Sequence, residues 1–69
     1  MKSEPIKLRR LRAGFIDREE VANLLGISDL YLGKLERGDK KTSPKLIVRM
    51  AKLYRCTTDE IFKDFNITG

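Results

Sequence analysis

Residues 17–38 read DREEVANLLGISDLYLGKLERG, and this stretch decides the fold. Apolar residues at three- and four-residue spacing lie on both sides of Gly26-Ile27-Ser28, which is typical of two short helices. Gly26 can end the first helix in the left-handed conformation, and Ser28 can cap the second. Ala22 is small where the helices would cross, and Ile27 would point into the core. The pattern predicts two helices joined by a sharp turn, although spacing alone also fits an ordinary helical hairpin.

Capping residues and glycines outside this stretch predict further helices. Ser3, Asp17, Ser28, Ser43 and Thr57 each precede a helical pattern, and glutamates follow Asp17 and Thr57 at capping-box spacing. Period-2 alternation is weak, so we expect no sheet. The prediction is a single all-α domain over residues 1–69, a compact five-helix bundle with helices at 4–13, 18–25, 29–37, 44–54 and 58–64.

The composition argues against several functional classes. The chain of 69 residues has no histidine and one cysteine, Cys56, so it offers neither an imidazole base nor a thiolate zinc site. We expect Cys56 to fill a small core position. No glycine-rich phosphate loop is present, and we therefore expect no enzyme, no cofactor, no metal and no small-molecule ligand.

Hydrophobic segments for a membrane or for secretion are not evident in the sequence. No apolar run approaches the ~18 residues that span a bilayer. The first residues, MKSEPIKLRRLR, carry charge without the apolar centre of a signal peptide. Small secreted domains usually contain disulfides, which a lone cysteine cannot form within the chain. We therefore expect a cytoplasmic protein that does not associate with membranes.

The charge is unevenly distributed along the chain. The net charge is +5, and residues 34–55 contain eight basic side chains against two acidic ones. Residues 1–18 contain six basic and two acidic side chains, whereas the residues from 56 onward contain one basic and three acidic. A basic body attracts phosphate polyanions through counterion release, although a basic surface can also serve solubility alone.

The same stretch resembles the lambda-repressor-like helix-turn-helix family, which includes Cro and the phage repressors. The resemblance extends over about residues 6–62 and is most specific from Gly26 to Gly38. Matching positions include Glu19, Glu20, Val21, Ala22, Leu25, Gly26, Ile27, Ser28, Tyr31, Leu32, Lys34, Leu35, Glu36, Arg37 and Gly38. The resemblance implies a transcriptional regulator, most often a repressor, that binds operator DNA as a symmetric dimer. The third helix would be the recognition helix, with its N-terminal residues in the major groove.

Carried over by position, the resemblance implies base contacts by Asp29, Leu30, Gly33 and Lys34. Lys34 can donate to guanine O6 and N7, and Leu30 can cover a thymine methyl group. Asp29 can accept a hydrogen bond from cytosine N4, or it can serve only as a second capping residue. Gly33 has no side chain to read with, but it would let the helix come close to the bases.

Phosphate contacts are implied for another set of residues. Arg18 lies where family members often have glutamine, at the start of the second helix, and would bind a phosphate there. Arg37, Lys40 and Lys41 would contact the DNA backbone from the loop after the recognition helix, or they form an ordinary solvated loop. Tyr31 would hydrogen-bond a phosphate through its hydroxyl group, or it only covers the surface.

In this family the glutamate that corresponds to Glu36 often pairs with an arginine of the first helix. Two ways of aligning that helix give different partners for Glu36. Aligning Leu8 and Leu11 with the apolar positions of the family selects Arg12, whereas counting back from the glycine that ends the helix selects Arg10. We prefer Arg12, and we expect the pair to hold the recognition helix against the bundle.

Phe62, Phe65 and Ile67 exceed what the core of five short helices needs. They would form the contact patch of a homodimer, or they would fold back onto the core.

A second class of function uses the same fold to bind a protein, as in an antitoxin-like or adaptor module. Asp29 and Gly33 favour this alternative, because an acidic residue and a residue without a side chain are unusual on a surface that reads DNA. The sequence names neither the operator nor the regulated genes.

Overall fold

Five helices follow one another in the computed structural model, which describes the backbone of residues 5–68 and the side chains of residues 5–65. They are α1 (Pro5–Arg12), α2 (Arg18–Leu25), α3 (Asp29–Arg37), α4 (Pro44–Tyr54) and α5 (Thr58–Thr68). Residues 5–68 contain no strand, so the all-α prediction is confirmed. The predicted bounds of α2, α3 and α4 agree with the structure, whereas α5 runs four residues past the predicted residue 64.

Side-chain caps set where most of these helices begin. Ser28 accepts a hydrogen bond from the amide of Tyr31 at 3.0 Å, and Ser43 accepts one from Leu46 at 3.3 Å. Asp17 caps α2 through the amide of Glu19 at 3.0 Å. The capping box before α5 is complete, because Thr57 and Glu60 each accept from the amide of the other. Ser3, the predicted first cap, lies outside the described residues.

Helices α2, α3 and α4 each end at a residue in the left-handed backbone conformation. Gly26 and Gly38 have φ of 74° and 82°, and their amides return to carbonyls of the last helical turn. Arg55 ends α4 with φ of 57°, a conformation that non-glycine residues adopt less readily. These tight ends keep the connections short, so that α2 and α3 are separated by only Gly26, Ile27 and Ser28.

The core lies between all five helices. Its fully buried residues come from every element: Ile6 from α1, Val21 and Leu25 from α2, Leu32 and Leu35 from α3, Met50 from α4 and Ile61 from α5. Ala22 is also buried, and Ile27 packs half-buried against the core from the turn. Because helices of this length are unstable alone, the shared core holds α3 in place.

Two arginines of α1, Arg9 and Arg10, form ion pairs with acidic side chains of the other helices. Arg10 and Glu36 are almost fully buried, and Arg10 Nε donates to Glu36 Oε2 at 2.7 Å. Arg10 Nη1 also donates to the carbonyls of Phe15 and Ile16 at 2.8 and 2.9 Å, which ties down the loop before α2. Arg9 pairs with Asp64 of α5.

The expected partner of Glu36, Arg12, was therefore wrong. Ile6 is the apolar residue of α1 that reaches the core, and Arg10 follows one turn later on the same face. Leu8, on which the alignment depended, is only half-buried, and Arg12 is exposed. Counting back from the glycine after α1 selected the correct residue.

Phe62 and Phe65 were predicted either to form a dimer contact patch or to fold back onto the core, and they differ in burial. Phe65 packs half-buried against the core, whereas Phe62 is 55% exposed. The side chain of Ile67 lies outside the described residues. Cys56 packs half-buried against the core and does not fill a fully buried core position. Within residues 5–68, no helix is both long and apolar enough to cross a membrane.

Candidate DNA-binding surface

The leading end of α3 is open to solvent. Leu30 is 65% exposed, and the side chain of Asp29 is 38% exposed. Leu32, Leu35 and the carboxylate of Glu36 face the opposite way and are buried in the bundle. Of the four positions for which base contacts were predicted, Leu30 is exposed, Asp29 and Lys34 are half-buried and Gly33 is buried.

Asp29, at the start of α3, is paired with Arg18, at the start of α2. Arg18 Nε donates to Asp29 Oδ1 at 2.8 Å, and Arg18 Nη2 donates to Oδ2 at 3.0 Å. This bidentate geometry fixes the plane of the guanidinium group. The hydrogen bond from Arg18 lowers the pKa of Asp29 below its ordinary value, so the carboxylate remains charged at neutral pH. The stabilisation from this pair is present above the unfolded-state pKa of the carboxyl group and is lost only as the pH falls through the lowered value.

The guanidinium group of Arg18 lies directly against Gly33. An ideal Cβ placed on Gly33 would be 2.8 Å from Arg18 Nη1 and 3.1 Å from Cζ, closer than real Cβ contacts. The sequence suggested that Gly33 lets DNA approach, but the space beside it is occupied by Arg18. The position of the Arg18 guanidinium group therefore depends on the absence of a side chain at residue 33.

An open recess of about 480 Å³ lies beside this pair, where α1, the start of α2 and α3 meet. Its lining includes Lys7, Arg18, Asp29, Gly33 and Arg37. Lys7 is exposed and was missed in the sequence, because nothing in the local pattern of α1 places it beside α3. The recess also contains the carboxylates of Asp17, Glu19 and Glu36, so its lining is of mixed charge.

The loop after α3 presents exposed cations. Lys40 and Lys41 are exposed, and Arg37 pairs with Asp39 at 3.1 Å in an exposed position. The hydroxyl group of Tyr31 donates to the carbonyl of Lys41 in a long hydrogen bond of 3.5 Å. Tyr31 therefore supports this loop from α3, a role that the sequence did not suggest.

A family model described as helix-turn-helix matches residues 6–61, which is most of the chain. The chain belongs to this lambda-repressor-like helix-turn-helix family. In searches of curated proteins and of solved structures, nothing matches the chain. Membership supports DNA binding of the kind that transcription regulators perform.

The turn of the helix-turn-helix is held from outside by α4. Arg49 Nη1 donates to the carbonyl of Leu25 at 3.1 Å and lies 3.6 Å from the position of an ideal Cβ on Gly26. Within the turn, the amide of Ile27 bonds the carbonyl of Ala22 at 2.9 Å. The turn between α2 and α3 is thus supported by a side chain of α4 and by a main-chain hydrogen bond within the turn. The sequence contained no signal for Arg49, since its partner is a main-chain carbonyl 24 residues away.

The individual contact residues stay predictions. On α3, Leu30 is exposed and Asp29 and Lys34 are half-buried, whereas Gly33 is buried with the guanidinium group of Arg18 against it. Arg37 is the last residue of the same helix, and Lys40 and Lys41 follow in the loop after it. The described residues include no group of three or more His, Cys, Asp or Glu side chains placed to hold a metal ion.

Proposed function

We propose that the protein binds double-stranded DNA sequence-specifically as a transcriptional repressor, with α3 in the major groove. One observation carries the proposal: the first turn of α3 is exposed on a helix that the core and the Arg10–Glu36 pair hold rigidly. A rigid helix whose N-terminal residues face outward is what groove recognition by this motif requires. A protein that binds operator DNA in this way would act in the cytoplasm.

The proposed DNA contacts are of two kinds, contacts to base edges and contacts to phosphates. Leu30 would cover a thymine methyl group, and Lys34 would donate to the O6 and N7 atoms of a guanine. Arg37, Lys40 and Lys41 would neutralise phosphates at the C-terminal end of α3, and Lys7 would do so from α1. Phosphate contacts orient the protein on the duplex, whereas the contacts to base edges supply the specificity.

The salt dependence of binding tests the proposal. Duplexes selected from a random pool would be titrated with the protein at several salt concentrations, with fluorescence anisotropy as the readout. Each neutralised phosphate contributes about −0.9 to the slope of log K against log salt, so about six contacts would lower the affinity ~10³-fold between 50 and 200 mM. The regulator proposal fails if no duplex is bound at low salt while a protein partner co-purifies, which is the result expected of the protein-interaction module.

Replacing Lys34 with alanine is expected to remove discrimination at one base pair. The cognate duplex should lose about 1–3 kcal/mol of binding free energy, and duplexes altered at that base pair should lose much less. Lys41→Ala is the matched control, because it removes the same charge from the loop after α3. It should weaken all duplexes alike and reduce the salt slope by about one. Equal losses on every duplex for both variants would refute the role of Lys34.

We also propose that the repressor acts as a homodimer through the α5 surface. Phe62 lines a groove together with the apolar residues Pro44, Ile47, Val48 and Phe65, and Lys40 and Lys41 also belong to the lining. An exposed aromatic side chain in such a mainly apolar groove is typical of a contact patch. Phe62→Ser should shift the sedimenting species toward monomer and weaken binding to a two-half-site duplex more than to a single half-site. An unchanged sedimentation profile would place the dimer contact elsewhere.

A further inference from the structure

A side chain of α2 lies against Gly33, a buried residue of α3. Gly33 follows Asp29 by one helical turn and therefore lies on the same face, next to Lys34. It contributes no side chain of its own. The guanidinium group of Arg18 takes that space, since its Nη1 is 2.8 Å from where a Cβ of residue 33 would be. The surface facing the groove therefore contains an arginine that α3 does not encode.

The orientation of this guanidinium is set by Asp29. Two parallel hydrogen bonds of 2.8 and 3.0 Å hold its Nε and Nη2 edge. Both side chains remain 38% exposed, so the pair lies at the surface of α3 instead of being enclosed by the bundle. A planar guanidinium with a fixed orientation matches the paired acceptors O6 and N7 of guanine, which lie on one edge in the major groove.

Asp29 also decides between a base and a phosphate as the target of Arg18. A phosphate approaching this guanidinium would come close to a second anion, the carboxylate of Asp29, and the repulsion would offset part of the attraction. The O6 and N7 edge of guanine accepts hydrogen bonds without a net charge. The carboxylate therefore disfavours the phosphate contact expected from the family and favours a contact to a base.

We propose that Arg18 reads a guanine in the major groove, with Asp29 as a positioning residue and Gly33 as the seat of the guanidinium group. This inference rests on the proposed DNA-binding function and names the base that one additional residue would recognise. Helix α2 would then contribute to sequence specificity through Arg18. Asp29 would hold the guanidinium group of Arg18 and would not accept a hydrogen bond from cytosine N4.

The experiment compares the base preferences of variants on the duplex selected by the unaltered protein. Each guanine of that duplex is replaced in turn by adenine and, separately, by 7-deazaguanine, which lacks the N7 acceptor. We expect one guanine in each half-site whose replacement by adenine weakens the unaltered protein roughly 5- to 150-fold. At the same position 7-deazaguanine should also weaken binding by the unaltered protein. Neither replacement should change the affinity of the Arg18→Met variant.

Gly33→Ala supplies a test that leaves every charge in place. The added Cβ displaces the end of a flexible side chain, so the helix should persist, and alanine favours a helix more than glycine does. This variant should lose the preference for the same guanine that Arg18→Met loses. Lys34→Ala is the control, because it should lose a preference at a different base pair and keep this one. Circular dichroism checks that each variant is folded.

The outcomes separate this inference from the proposed function. If the unaltered protein selects no preferred duplex, the DNA-reading function fails and the role of Arg18 falls with it. If a sequence is selected but Arg18→Met weakens all duplexes equally and leaves the guanine pattern unchanged, Arg18 contacts phosphate and only the present inference is overturned. Retention of the guanine preference in Gly33→Ala would also overturn it.

Discussion

Arg10→Met will lower the free energy of unfolding by about 3–5 kcal/mol, because it leaves the carboxylate of Glu36 buried without its partner. Glu36 is 2% exposed, and its oxygens face Arg10 Nε and Nη2 at 2.7 and 3.4 Å. The substitution also removes the donors to the Phe15 and Ile16 carbonyls. A domain of this size has a total stability of only about 3–10 kcal/mol, so a large part of the population should be unfolded at 37 °C. Urea denaturation followed by circular dichroism measures the change.

Arg12→Met is the matched control for this prediction. Arg12 lies two residues later on α1, has the same charge and is exposed. Its replacement should change stability by no more than about 0.5 kcal/mol. Comparable losses for the two variants would show that the loss comes from the charge of α1 and not from the buried pair. A double variant, Arg10→Met with Glu36→Leu, should recover part of the loss, because a buried pair can be replaced by apolar groups of similar volume.

Ile61→Ala will lower the free energy of unfolding by about 2–5 kcal/mol, since it opens a cavity where α5 meets the core. Ile61 is fully buried in the core that α5 shares with α1, α3 and α4, whereas Phe65 of the same helix is only half-buried there. Short helices depend on such contacts for their stability. Thermal unfolding should show a lower midpoint with a single transition, because the five helices share one core.

Phe62→Ala provides the comparison on the same helix. It removes a larger side chain than Ile61→Ala does, but Phe62 is 55% exposed, so stability should fall by no more than about 1 kcal/mol. Its larger effect should be on self-association, as expected for the proposed dimer surface. If Phe62→Ala destabilised the monomer as much as Ile61→Ala, α5 would pack with a different face toward the core.

Local chemistry was sufficient to predict the helices. Ser28, Ser43 and Thr57 satisfy amides within three residues of themselves, and the glycines after α2 and α3 close the helix ends within one turn. Such interactions involve neighbours in the chain, so they can be inferred from spacing. The excess of positive charge follows from composition alone. The sequence therefore predicted the five helices, the sharp turn and a basic surface without reference to any distant contact.

Distant contacts decided which residues form the site. Local pattern left both Arg10 and Arg12 open as partners of Glu36 and favoured Arg12, whereas the burial of Ile6 against the other helices turns Arg10 inward. Arg18, Asp29 and Gly33 have separate predicted roles until the crossing of α2 and α3 brings the guanidinium over the glycine. The angle and separation between helices depend on how side chains from all five pack together, and local spacing contains no measure of that packing.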